Sequence, residues 1–176
     1  MTAVLWWAVQ DENSTATPQA GQQRPPPRSI SHCGRQPEQR QPSILYAGKS
    51  FEKNDMKHYF QNNAWSIGQG VAQLLHLIQT YPYAPNYSAP KVLVVSPIHI
   101  GPDVAHSPFG SFQPEAIEIS KGLAAEMQRV AEQAGCAFFD AAAVAGPCDE
   151  DSIHMDAANH AALARALEPL VHELLD

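Results

Sequence analysis

The chain has 176 residues, 44% of them hydrophobic, and a formal net charge of -7. That length supports one domain with a sizeable core, and the acidic balance excludes nucleic acid as a default partner. Cys33, Cys136 and Cys148 are an odd number without Cys-x-x-Cys spacing, so free thiols in a reducing compartment are expected rather than a disulfide framework or a thiolate metal site.

The apolar start Met1–Val9 lacks a basic flank and is followed at once by Asp11 and Glu12. It reads neither as a signal peptide nor as a membrane span, which predicts a cytoplasmic protein with no membrane partner. From Gln10 to Gln41 the chain is rich in Gln, Pro, Arg and Ser and shows neither a 3.6 nor a 2.0 apolar period. Such composition cannot bury enough surface to offset its ordering entropy, so residues 1–42 are expected to be a low-complexity, disordered segment, with the folded domain over 43–176. Residues 1–50 carry a balance of +2 against -9 for the remainder, and four of the six arginines precede residue 41. A switch this abrupt is what a change of reading frame upstream of the Asn54 codon would produce.

Ser43–Ala47 reads as a short strand feeding a loop at Asn54. A helix is predicted over 63–80, with Asn62 or Asn63 as its cap and Ile67, Val71, Leu74, Leu75 and Ile78 on its core face. Lys91–Ser96 is a continuous apolar run, the pattern of a parallel strand covered on both faces. A loop from Ile98 to about Gln113 follows, in the place where such sheets meet ligands, and Ile98, His99 and Phe109 are its candidate pocket residues. A second helix is predicted over 114–134, with Gly135 as its C′ residue, then a strand over 136–140. Asp156 caps a last helix that carries Leu163, Leu167, Leu170, Val171 and Leu174, and Pro169 should kink or end it near Glu168. Strands alternating with helices give a three-layer α/β/α fold with a parallel sheet.

Asp151 stands three residues before His154, between the last strand and the last helix. That spacing can set a carboxylate on one imidazole nitrogen and leave the other free to move a proton. His154, Asp156 and His160 have zinc-ligand chemistry, but Asp156 is better used as a helix cap, and no metal is expected.

Asn54-Asp55-Met56-Lys57 with Phe60, Lys91-Val-Leu-Val-Val-Ser-Pro97, Phe138-Phe-Asp140 and Asp151-x-x-His154 occur in the order of the SGNH (GDSL-type) serine esterases. Residues 51–176 resemble the C-terminal part of that family, in its arylesterase or lysophospholipase-like branch. The resemblance implies a flavodoxin-like sheet incomplete at the N-terminus, and a serine ester hydrolase acting on short acyl or aryl esters without a cofactor. It further implies His154 as general base, Asp151 as its orienting carboxylate, Asn54 as oxyanion donor, and a small-molecule ester as partner, with a homo-oligomer left open. The family's nucleophile lies in a Gly-Asp-Ser motif that this chain lacks, and Glu52 stands where the family has glycine. The nucleophile is therefore unknown; Ser96, at a strand end, is the nearest substitute. The alternative reading is a catalytically silent fragment acting as a binding module.

Because residues 1–41 lack apolar periodicity, deleting them should leave the melting temperature almost unchanged in a thermal melt.

Overall fold

A computed structural model describes residues 45–47, 51–83 and 88–175, with side chains from Lys53 onward. The low-complexity segment and the domain boundary near residue 42 lie outside the described residues.

Three parallel strands form the sheet in sequence order, β1 (Leu45–Ala47), β2 (Val92–Ser96) and β3 (Ala137–Asp140). Leu45 pairs with Val92 on one side of β2, and Val94 pairs with Phe138 on the other. Four α-helices among the described residues frame this sheet: α1 (Phe51–Asp55), α2 (Ala64–Thr80), α3 (Glu115–Gln133) and α4 (Ala157–Leu175) are joined by a 3₁₀ turn at His58–Phe60 and lesser turns in the loops.

Every residue of β2 is buried, and its side chains divide between two cores. Val92 and Val94 join Ile67, Val71 and Leu75 of α2 and Leu123, Met127 and Val130 of α3. Leu93 and Val95 face the other way, against Leu163, Leu167, Leu170, Val171 and Leu174 of α4. The fold is thus the expected three-layer α/β/α arrangement, with α2 and α3 on one face and α4 on the other.

Local chemistry explains the helix ends. Asn63 accepts from the Ser66 backbone N–H while the Ser66 hydroxyl accepts from the Asn63 N–H, a closed capping box. Gly135, just past α3, takes φ +65°, a conformation that costs glycine nothing. Asp156 accepts from the Asn159 N–H at 2.7 Å, at the start of α4.

Three expectations are corrected. Leu74, placed on the core face of α2, is 47% exposed. The helix turns instead to set small residues against α3: a Cβ on Gly68 would stand 3.2 Å from Glu126 Cβ, and one on Gly122 would stand 3.1 Å from Ala64 Cβ. Close helix approach, which counting large apolar residues misses, fixes the rotation. Asn54, expected on a loop, lies in α1, whose five residues are too few to show a helical period. Pro169 does not end α4 early, since the helix continues to Leu175. The apolar residues after it, Leu170, Val171 and Leu174, pack onto the sheet and hold the helix beyond the missing hydrogen bond.

That hydrogen bond would be recovered by alanine. Pro169→Ala is expected to stabilise the fold by about 1–3 kcal/mol, measured as a rise in urea midpoint at unchanged slope.

Candidate active site

Parallel strands send all their following segments to one edge of the sheet. After β1 comes α1, after β2 the loop from Pro97 to Pro114, and after β3 the loop leading to α4. The candidate residues come from these three segments.

The last of them carries the dyad. His154 Nδ1 meets Asp151 Oδ2 at 2.6 Å. The other carboxylate oxygen, Oδ1, accepts the backbone N–H groups of Ile153 and His154, each at 2.8 Å, and the Cys148 thiol at 3.4 Å. The loop closes on itself, since the Cys148 N–H donates to the His154 carbonyl at 2.6 Å and the Ser152 N–H to the Cys148 carbonyl at 3.0 Å. Gly146 is tied to α4 through the Asn159 side chain at 2.8 Å.

Burial by itself would raise the Asp151 pKa. The hydrogen bonds from the His154 N–H, the His154 ring and the Ile153 N–H outweigh it, with attraction to the imidazole, and take the carboxyl from 3.8 to about 2. The carboxylate side chain is 16% exposed and the imidazole 56%. Asp151 is therefore a fixed, ionised acceptor, and His154 presents its other edge to solvent. Among the described residues, none hydrogen-bonds to His154 Nε2.

Two segments press on this loop. Gly101 donates its N–H to the Ser152 carbonyl at 2.7 Å. A Cβ on Gly101 would fall 2.8 Å from both Cβ and Oγ of Ser152, so only glycine lets the strands of loop approach this closely. Ser152 is buried and adopts φ +60°, a left-handed conformation that turns the chain between Asp151 and His154. From α1, the Lys53 ammonium donates to the Ile153 carbonyl. Asn54 is the next residue and is exposed, so the oxyanion candidate sits on the element tied to the dyad loop.

The pocket candidates divide. The Phe109 ring meets the His154 ring edge-on, with centroids 5.3 Å apart, and is 43% exposed. His58 holds the same loop by donating to the Ser111 carbonyl from both its ring Nδ1 and its backbone N–H, each at 3.0 Å. Ile98 is buried in the core with Leu93, Val95 and Leu163, beneath α4. His99 is half-buried. Ser96 is fully buried, and its hydroxyl donates to Asp140 at 2.7 Å, so it cannot serve as nucleophile. Asp156 is spent on Asn159, and no group of three metal-ligating side chains occurs among the described residues. The side chain of Glu52 lies outside the described part. Among the described residues no helix is long and apolar enough to cross a membrane.

Sequence reasoning missed Lys53, Gly101, Cys148 and Ser152. Lys53 and Gly101 act across sequence separations that carry no local signal, whereas the Cys148 thiol and the left-handed Ser152 lie within the motif's own loop.

Because the Asp151 pKa is lowered, its contribution to stability is present above pH 3.8 and is lost as pH falls through about 2. The shift corresponds to about 2 kcal/mol. Asp151→Asn should therefore cost about that much at pH 6, and the gap to wild type should close as denaturation is repeated from pH 4 down to pH 2.

No family model and no curated protein matches the chain. Solved structures do. The native aryl esterase of M. smegmatis is 32% identical over 74% of this chain and 60% of its own, at a TM-score of 0.63. An arylesterase described as putative, from Agrobacterium tumefaciens, is 30% identical over 74% and 60%, at 0.62. A carbohydrate acetylesterase family member from Sinorhizobium meliloti is 28% identical over 75% and 60%, at 0.64. This chain spans about 60% of the length of each of them. With the ordered motifs and the three-layer parallel fold, these likenesses to arylesterases and a carbohydrate acetylesterase are consistent with the C-terminal part of the SGNH (GDSL-type) esterase family.

Proposed function

We propose that the described part of this chain is the base side of a carboxylic ester hydrolase site for small-molecule esters with short acyl or aryl groups. The observation that carries this reading is the Asp151–His154 hydrogen bond of 2.6 Å at the sheet edge, with the far side of the imidazole open. Asp151 fixes the tautomer with the proton on Nδ1, so that Nε2 is the basic nitrogen. In an acyl transfer, Nε2 takes the proton of an attacking hydroxyl as the tetrahedral intermediate forms and returns it to the leaving alkoxide. Water then repeats the cycle on the acyl group. Asn54 supplies a side-chain N–H to the oxyanion, a contribution worth about 2.7–4 kcal/mol in the transition state. Phe109, beside the imidazole, is the wall against which an acyl or aryl group packs. The cycle needs no metal or organic cofactor.

A second reading, a catalytically silent binding module, is favoured by the absence of Gly-Asp-Ser from the sequence and by the burial of Ser96. Loss of a nucleophile alone removes nearly all of a triad's gain, roughly a millionfold.

The full chain is accordingly expected to show no His154-dependent turnover of p-nitrophenyl acetate and no labelling by a serine-reactive phosphonate. Replacing the residues before β1 by the corresponding N-terminal part of the M. smegmatis aryl esterase should give turnover. In that chimera His154→Ala should remove roughly 10⁴-fold or more, and Asn54→Ala about 10²–10³-fold. A chimera that folds, by circular dichroism, yet hydrolyses no ester in a His154-dependent way would leave the silent reading standing.

A further inference from the structure

We propose that Lys53 is a positioning residue for the Asp151–His154 pair, acting through the single peptide unit that joins Ile153 to His154. The inference rests on the base role given to His154 above and adds to it a cation one hundred residues away in sequence.

The peptide in question is bonded at both ends. Its carbonyl, belonging to Ile153, accepts from the Lys53 ammonium. Its N–H, belonging to His154, donates to Asp151 Oδ1 at 2.8 Å. The peptide dipole therefore lies between a cation at its oxygen and an anion at its hydrogen, the orientation both charges favour. A carbonyl that accepts from a charged donor makes its own N–H a stronger donor, because successive hydrogen bonds polarise one another. The strengthened N–H bond keeps Oδ1 in place while Oδ2 holds His154 Nδ1 at 2.6 Å. The bond also fixes the plane of the peptide, and with it the start of the His154 side chain.

Nothing else described holds that carbonyl. Ile153 itself is buried, at 3% exposure, so water has little access to the neighbouring backbone. The contact is part-buried, and the long apolar stem of a lysine spans the gap between α1 and the loop while its head stays on the polar atom. Because Lys53 precedes Asn54 on α1, one bond both orients the base and secures the element that carries the oxyanion candidate.

The test reads Asp151 and the His154 amide directly and needs no turnover, so it stands whether or not the chain hydrolyses esters. Among the described residues, the titratable groups at Asp151 are His154 and the Cys148 thiol, with Asp149 and Glu150 preceding it on the loop and Lys53 reaching over from α1. In the full chain, the Asp151 carboxyl carbon is titrated by NMR and the His154 amide proton shift is recorded at neutral pH. In Lys53→Met the carboxyl should bind its proton about twofold more tightly, and the amide proton should move upfield as its hydrogen bond weakens. Lys53→Arg, which keeps charge and donors, should restore both values. Should Lys53→Met fail to fold, Lys53→Gln removes the charge with a polar stem and is expected to move both readouts the same way. A folded Lys53→Met or Lys53→Gln protein that melts lower but keeps the wild-type Asp151 midpoint and His154 amide shift would reduce Lys53 to a clamp for α1 and overturn the proposal.

Discussion

Everything in this structure follows from β2 being covered on both faces. A strand with Val92 and Val94 in one core and Leu93 and Val95 in the other needs helices on both sides, and helices on both sides require crossover connections and a parallel sheet. Parallel strands in turn bring three unrelated loops to one edge. Lys53, Gly101, Phe109 and the Asp151–His154 loop meet there because of that constraint, although they are spread over a hundred residues of chain.

Sequence and structure agree where the physics is local or strongly periodic. The run of four apolar residues in β2, the caps at Asn63 and Gly135, and the acid three residues before His154 were all legible, because each depends on neighbours in the chain. The rotation of α2 was not. Large apolar side chains put Leu74 inside, whereas the closest packing is made by Ala64, Gly68 and Gly122, residues with nothing to contribute to an apolar count. Pro169 misled in the opposite direction: a local rule about helix interiors lost to the tertiary packing of Leu170, Val171 and Leu174. Of the site, the dyad could be read from spacing. The Lys53 and Gly101 contacts could not, since both are made between segments that only the sheet brings together. Ile98 shows the limit of arguing from position, because a residue two places beyond a strand end can still belong to the core.

The carboxylate of Asp151 shows how a site is kept polar without being flooded. Buried charge is costly unless every lone pair finds a donor. Here two backbone N–H groups, an imidazole and a thiol meet the two oxygens, so the group stays ionised while remaining mostly covered. His154 is in a different position, anchored at one nitrogen and exposed at the other. That asymmetry, rather than proximity alone, separates an orienting group from a proton carrier.

The hydrogen bonds that shape the dyad loop nearly all close within the seven residues from Cys148 to His154. Among the described residues the Gly101 and Lys53 hydrogen bonds tie it to distant parts of the chain, but closing so short a ring costs little chain entropy. Such a unit is portable. It can outlast the loss or exchange of whatever once stood opposite it, so an intact acid–base pair is a record of ancestry more than of present turnover, and the two have to be judged on different evidence.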